Sequence, residues 1–538
     1  MEFNHADLFE GLADAIGERV AVVCGDRRLT FAELDAHANR LAHHLLDAGV
    51  TAGQHVGIQL YNGVEYVAGL LAALKIRAVP INVNYRYVEA ELAYLYDDSD
   101  IVALLYDVEF DDRVAAVAPG CPALRHLIAV GGESAVAGAV PYEEALAGQP
   151  ETRGFEPRSG QEVYIIYTGG TTGMPKGVMW RTEDLFMGFG GGNVGGEPHT
   201  RPEQVIETAR ANGPLIMMAV APLMHGAAQM GTFVGWWMGA TMVYVRRFDP
   251  VEVLRVIERE RVFTATITGD AMARPLADEI AKGGHDLSSL FVLSSTGAIL
   301  SGTVRDRLQS LLPNTMIIDS FGSTESGYTA SALPGSSPES GLKYQPTPAV
   351  RLAVLNEKLR PVAPGSGEIG TIAKSGHIAY AYYKDPDKTA RTFVTDPDGV
   401  HWLLTGDLAQ VEEDGTITVF GRGSQCINTG GEKVFPEEVE AVLKGHPSVF
   451  DAVVTGIPDA RWGSRVAAVV QPTPGTTPTQ ADLDAHCRSR LSGYKVPRTY
   501  AFVDELVRSP SGKADYRWAA QTAQAARHDQ PTSQAAET

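Results

Sequence analysis

Tyr167-Thr168-Gly169-Gly170-Thr171-Thr172-Gly173-Met174-Pro175-Lys176-Gly177 follows an apolar run, Val163–Tyr167, that reads as a buried strand. Its glycines free the backbone to turn N–H groups toward an anion. Three threonine hydroxyls and Lys176 add further donors. By composition this is a phosphate cradle placed directly after a strand. It is not a Walker A loop, because no Gly-Lys-Ser/Thr is present and Pro175 precedes the lysine. A second glycine run, Gly190-Gly191-Gly192-Asn193-Val194-Gly195, matches GxGxxG by letters. No strand precedes it and no helix pattern follows, so it reads as a flexible loop.

Outward from the cradle, strand and helix signals alternate. Thr30 and Glu33 form a capping box ahead of Leu34, Ala38, Leu41 and Leu45, with Gly49 as a stop. Val56–Leu60, Ala78–Val83 and Ile101–Tyr106 read as strands, and Val64–Leu74 and Tyr87–Tyr96 as helices. Strand signals recur at Leu215–Val220, Val262–Thr268, Leu290–Ser294 and Met316–Asp319, with a helix at Glu252–Glu260. This alternation predicts layered α/β structure. Beyond about residue 350, short β-like runs dominate up to Val419. A helix signalled by Pro436, Glu437, Glu438 and Lys444, with strands at Val449–Thr455 and Val466–Gln471, predicts a smaller α+β domain at the C-terminal end. Gln521–Thr538 is polar and Ala-rich and reads as a disordered tail.

The chain has 538 residues, enough for several domain-sized units and a sizeable core. Its net charge of −20 argues against nucleic acid or an anionic membrane as the main partner. Attraction for a polyanion must then come from local cations. Four cysteines without a CxxC pair exclude a zinc ribbon and fit a reducing compartment. The N-terminus lacks a basic start and an apolar stretch, so a cytoplasmic protein is expected. Ala211–Val245 holds no Asp, Glu, Lys or Arg, but Pro214 and Pro222 interrupt it. It reads as a buried strand, a turn at Pro222–Gly226 and a buried helix, not a membrane span.

Four further stretches follow the cradle in order: Ser320-Phe321-Gly322-Ser323-Thr324-Glu325, Trp402-Leu403-Leu404-Thr405-Gly406-Asp407, Gly421-Arg422-Gly423-Ser424 continuing to Gly430-Gly431-Glu432-Lys433, and Pro510-Ser511-Gly512-Lys513. With Thr168–Lys176, these resemble the ordered motifs of the adenylate-forming superfamily of acyl-CoA synthetases, luciferases and peptide-synthetase adenylation domains. The likeness covers nearly the whole chain. It implies a large N-terminal adenylation and acyl-binding domain, 1–423, of layered α/β subdomains plus a β-rich part. A small mobile α+β domain with the catalytic lysine, 424–520, and the tail, 521–538, would follow.

The resemblance also implies roles. ATP, Mg²⁺ and coenzyme A would be the cofactor and co-substrates. Lys176 and the loop Thr168, Gly169, Gly170, Thr171, Thr172, Gly173, Met174, Pro175 would hold the outer phosphates. Thr168 and Glu325 would ligate Mg²⁺. Phe321, with Ser320 and Gly322, would lie against adenine and Gly297 near the base. Thr324 would touch a phosphate oxygen, Asp407 the ribose hydroxyls, and Arg422 the ribose or phosphate. Lys513 would bridge the carboxylate and the α-phosphate, with His225 beside the reacting carboxylate. Gly430 and Gly431 would line the pantetheine path. Gly169, Phe321 and Ser424 depart from the commoner Ser, Tyr and charged hinge residue.

The acyl pocket is expected from Ala211–Val245 and Ser294–Leu300, widened by Gly231, Gly235 and Gly239. Without a charge there to hold an ammonium group, an amino acid substrate is disfavoured. The wording Met179-Trp180-Arg181, Gly269-Asp270-Ala271-Met272-Ala273-Arg274-Pro275-Leu276 and Lys513-Ala514-Asp515-Tyr516-Arg517-Trp518 resembles actinobacterial CoA ligases of steroid side-chain carboxylates. A medium- or long-chain fatty acid is the alternative substrate. A luciferase-type monooxygenase or a catalytically silent nucleotide-binding regulator is the alternative function. A homo-oligomer is compatible with the sequence.

Overall fold

The computed structural model describes residues 2–170, 173–193, 196–298, 300–332, 342–346, 350–429, 432–459, 462–508 and 514–529. Its largest sheet has 14 strands and changes character half-way. Val20–Cys24, Thr241–Tyr244, Ile216–Ala219, Thr264–Ile267, Val292–Thr296 and Met316–Ser323 lie side by side and parallel. From Met316–Ser323 onward the neighbours run antiparallel: Gly327–Ala332, Leu342–Pro346, Ile417–Arg422, His401–Val411, Gly370–Ser375 and Arg351–Leu355. The parallel half is covered by helices, as its Val/Ile/Met-rich strands require. The antiparallel half is the β-rich part expected from the short runs beyond residue 350.

A second sheet of five parallel strands joins Val79–Asn82, His55–Gln59, Ile101–Asp107, His126–Val130 and Ala139–Pro141 in that order. Between the two sheets stands the hairpin Val163–Gly170 and Gly173–Arg181, with Ala381–Tyr382 on its outer edge. The cradle is therefore the tip of a hairpin. Near the C-terminal end, Val449–Asp459, Gly463–Pro472 and Thr499–Phe502 form a three-stranded sheet. Helices Pro436–Lys444 and Tyr516–Asp529 pack on it.

Local chemistry explains the helix limits. Thr30 accepts from Glu33 N–H while the Glu33 carboxylate accepts from Thr30 N–H, so the capping box closes as expected. The uncharged tract folds as Ile216–Ala219, the helix Gly226–Trp237 and Thr241–Tyr244. Among the described residues no helix is long and apolar enough to cross a membrane. One expectation is corrected: residues 521–529 belong to the helix Tyr516–Asp529. Ala519 and Ala523, one turn apart, bury against Val453, Ile457 and Val469, so small side chains give this polar segment a packing face. Residues 530–538 lie outside the described residues.

The first helix, His5–Ile16, is locked to its neighbours through a buried cation. Lys75 is fully buried, with Nζ 2.6 Å from both Glu10 and Asp35. Arg158 pairs with Glu10 and Arg153 with Asp35, closing the network. Removing one member leaves buried charge uncompensated, which typically costs ~3 kcal/mol or more. Lys75→Met is therefore expected to lower unfolding stability by about 3 kcal/mol in urea titration. A loss below about 1 kcal/mol would show that the two arginines alone satisfy the carboxylates.

Candidate active site

A cavity of about 2610 Å³ opens along the carboxyl ends of the parallel strands, where the large sheet changes from parallel to antiparallel. Such a switch leaves strand ends splayed, and open α/β sheets bind ligands there. Thr168, Gly169, Met174, Lys176, Gly297, Ser320, Phe321, Gly322, Thr324, Glu325, Asp407 and Arg422 all line this one cavity. Residues separated by up to 254 positions in sequence are thus brought to a common wall. Gly170 pairs with Gly173 across the hairpin tip, and Pro175 is buried in its second strand. Thr171, Thr172, Gly430, Gly431 and Lys513 lie outside the described residues.

Lys176, Lys388 and Arg422 are cations of the cavity wall that stand near acids. Lys176 stands opposite Thr168 in the hairpin register, 3.6 Å from Asp385 and over the Tyr94 ring. Tyr94 foremost, then Asp98 and Asp385, push its pKa up, so it stays charged. Lys388, which sequence reading passed over, also lines the cavity, with Nζ 3.9 Å from the centre of the Tyr382 ring. Burial pulls its pKa down while Glu325 and Asp385 oppose the shift. Arg422 is the cross-strand partner of Asp407, and its Nε lies 3.0 Å from that carboxylate. Its Nη1 donates to Thr405 O at 2.8 Å, while Gly406 takes the left-handed φ of 80° that aims Asp407 inward.

Glu325 is held from two sides. Tyr382 Oη donates to its carboxylate at 2.7 Å, and Ala379 N–H donates to its carbonyl at 3.1 Å. Trp180 Nε1 donates to Thr324 O at 2.9 Å. Thr168 and Glu325 share the cavity, and among the described residues no group of three His, Cys, Asp or Glu could hold a metal. One hydroxyl and one carboxylate suit a Mg²⁺ that draws most of its oxygens from phosphate groups. Phe321 packs against Tyr344 with ring centres 5.2 Å apart, which leaves a flat aromatic wall. Asp319, two residues earlier, also lines the cavity, and burial raises its carboxyl pKa to about 7.

The other end is apolar. Leu215, Phe263 and Val292, at the amino ends of their strands, line the same cavity as Thr296 at a carboxyl end. The channel thus follows the strands for roughly 13 Å, four residue steps at about 3.3 Å. Met217, Met230, Val234 and Met238 face it, as does Gly231. Ser294, Thr296, Gly297 and Ala298 form its other wall, as expected from sequence.

The glycine expectation needs correction. A Cβ on Gly231 would meet nothing within 4 Å, so this glycine does leave space. One on Gly235 would lie 2.2 Å from Met242 Sδ, and one on Gly239 3.0 Å from Ala209. Those two permit close packing behind the channel. Trp236 and Trp237 are buried core, and Trp236 Nε1 donates to Ala21 O. His225 precedes the helix Gly226–Trp237 and is half-buried; Gly226 lines the cavity, His225 does not.

Sequence reading missed what joins the two ends. Asn82, buried on the five-stranded sheet, accepts from Tyr167 N–H and donates to Tyr167 O and to Met224 O, all within 2.8 Å. Asn62 accepts from Leu223 N–H at 2.6 Å. Two amides thereby clamp the root of the cradle to the turn that starts the apolar helix. No local pattern marks such residues.

Residues 9–383 match the profile of the AMP-binding enzyme family, and residues 438–513 match the AMP-binding enzyme C-terminal domain. The chain belongs to the AMP-binding enzyme family. It is 48% identical over 534 residues to a Medium/long-chain-fatty-acid–CoA/3-oxocholest-4-en-26-oate–CoA ligase of Mycobacterium tuberculosis, covering 97% of this chain and 96% of that one. It is 44% identical over 535 residues to a 3-oxocholest-4-en-26-oate–CoA ligase of Rhodococcus rhodochrous, covering 96% of each. Among solved structures, this AMP-binding enzyme superposes on an anthranilate CoA ligase in complex with anthranoyl-AMP with a TM-score of 0.84, at 25% identity and 98% coverage of both chains.

In this AMP-binding enzyme, Gly231→Leu is expected to fold normally and shorten the apolar channel. Gly235→Leu is expected to displace Met242 and cost about 2 kcal/mol of stability. Thermal unfolding of the pair checks this, and equal melting temperatures would refute the assignment of the two glycines.

Proposed function

We propose that the protein is an AMP-forming acyl-CoA synthetase that activates a bulky apolar carboxylic acid, with a steroid side-chain carboxylate as the favoured substrate. The observation that carries this reading is the single cavity, cationic and phosphate-suited at one end and apolar along the strands at the other. The names of the relatives at 48% and 44% identity support the steroid acid. The straight apolar channel supports medium- and long-chain fatty acids as a second substrate class, as the first relative's name also does.

In the first half-reaction a carboxylate oxygen attacks the α-phosphorus of ATP, and the bond to the bridging oxygen breaks to release pyrophosphate. Charge neutralisation and alignment do most of the work. Lys176 and the cradle N–H groups hold the outer phosphates, and Asp407 with Arg422 fixes the ribose side. Phe321 supplies the face for adenine. The Asp319 carboxyl, beside it in the strand, suits an exocyclic amine. Bound Mg²⁺ would neutralise charge between the phosphates, held by Thr168 and Glu325. Lys513 is assigned to the α-phosphate and attacking carboxylate by its motif. In the second half-reaction the coenzyme A thiol gives up its proton and attacks the acyl carbon, and AMP leaves. By the same motif Lys513 would occupy the space the thiol needs, so the 424–520 domain would reorient about Ser424 against the 1–423 domain, and Gly430–Gly431 would line the thiol's path.

Single-turnover product analysis with a steroid side-chain acid is expected to give AMP and pyrophosphate, with acetate activated very poorly. ADP as product, or acetate as the best acid, would overturn the reading. Lys513→Ala is expected to slow acyl-AMP formation at least about 100-fold while preformed acyl-AMP plus coenzyme A still yields thioester. Equal loss in both half-reactions would remove Lys513 from the first transition state.

A further inference from the structure

The turn that carries Thr324 and Glu325 rests on a buried lysine that the proposed function leaves without a role. Lys374 lies in the strand Gly370–Ser375 and is 4% exposed. Its Nζ donates to Ser326 O at 2.6 Å and to Tyr328 O at 2.8 Å. Buried lysines usually face a carboxylate. This one spends its donors on two backbone carbonyls, and its side chain lines the cavity wall.

The Ser326 carbonyl ends the turn between Met316–Ser323 and Gly327–Ala332, immediately after Glu325, and the Tyr328 carbonyl lies at the start of the second strand. The turn packs tightly against the end of the helix Thr182–Gly188. Gly327 has a φ of 65°, and a Cβ there would lie 2.5 Å from Gly188 O. Ser323 and Ser326 exchange hydrogen bonds through their hydroxyls, and Thr329 Oγ1 donates to Ser326 Oγ. From the opposite side, Trp180, Ala379 and Tyr382 hold Thr324 and Glu325. Lys374 is the support on the far side of this frame, through two hydrogen bonds from one buried amine. A long, unbranched side chain reaching from the antiparallel half of the sheet fixes a turn on its junction strand.

We infer that Lys374 is a positioning residue, which sets the Glu325 carboxylate for Mg·ATP by gripping the Ser326 and Tyr328 carbonyls. The inference rests on the reading of Glu325 as a metal and phosphate contact. Residues that orient a metal ligand typically matter by about 10–100-fold in metal affinity or activity. Lys374→Met keeps the length of the side chain and removes the donors.

The test combines four readouts on the full chain. Calorimetric binding of an α,β-methylene ATP analogue with Mg²⁺ is expected to weaken about 10-fold or more in Lys374→Met, and the Mg²⁺ concentration for half-maximal adenylation to rise similarly. Thioester formation from preformed acyl-AMP is expected to stay within about twofold. Amide exchange in the ligand-free protein is expected to speed up at residues 323–328 and not in the hairpin 163–181. In a Glu325→Gln background the same substitution is expected to add little, because both act through one carboxylate. An unchanged binding constant and Mg²⁺ requirement in Lys374→Met, or equal loss in both half-reactions, would overturn the role of Lys374. Should Lys374→Met fail to fold, Lys374→Gln keeps N–H donors at shorter reach. A rise of about fivefold in the Mg²⁺ requirement would then support the inference, and less than about twofold would overturn it. Glu325→Gln alone leaving the Mg²⁺ requirement unchanged would instead refute the reading of Glu325 on which the inference rests.

Discussion

The strand Met316–Ser323 has a parallel neighbour on one side, Val292–Thr296, and an antiparallel one on the other, Gly327–Ala332. A parallel neighbour demands a crossover, and an antiparallel one only a turn. The chain therefore leaves the sheet on one side of this strand and doubles back on the other, and a cleft opens between. The register to Gly327–Ala332 shifts between Phe321 and Gly322, which re-aims the end of the strand. Phe321, Thr324 and Glu325 ride on that irregular end. The apolar channel runs back along the parallel side, and the strands holding Asp407 and Arg422 lie on the antiparallel side. The apolar and polar walls of the cavity thus meet because one strand has two kinds of neighbour.

The acidic chain attracts a polyanion only through local placement. Lys176, Lys388 and Arg422 line the cavity, each near an acid: Asp385, Glu325 or Asp407. Paired in this way, the cations are held in place before a nucleotide arrives, which lowers the ordering cost of binding. Buried amides and a buried lysine play the same part for backbone. Asn82 and Asn62 join cradle and channel through neutral hydrogen bonds, and Lys374 fixes the turn after Glu325. Such contacts are worth most where water is absent and the alternative is an unmade bond.

Much of this was readable in the chain. The capping box at Thr30 and Glu33 and the Pro436–Lys444 helix limits are local, because caps and first turns are settled within four residues. The apolar tract folded as strand, turn and helix because its prolines and its lack of charge leave little else. Alternation alone was enough to expect layered α/β structure. Residues 521–529 of the expected tail fold as helix, because Ala519 and Ala523 pack as a face once a sheet is present, which composition alone does not show. The glycines at 231, 235 and 239 share a spacing but not a role, since spacing does not say what stands opposite each one.

Short stretches of the chain set the chemistry on offer: a glycine- and threonine-rich loop with a lysine, a Phe-Gly-Ser-Thr-Glu run, an aspartate after glycine, and an uncharged Met-rich tract. Each is a composition over a few neighbouring residues, where residue type alone limits what the backbone and side chains can do. Only the tertiary structure decided that these pieces face one cavity, that Arg422 pairs with Asp407, and that Gly231 opens the channel while Gly235 packs behind it. It also decided that Asn82 and Lys374, unremarkable in their own stretches, carry the joints. Asn82 reaches partners 85 and 142 positions away, and Lys374 reaches 48 and 46 positions back. Contacts at such separations depend on how sheets stack and strands register, and no pattern along the chain records that.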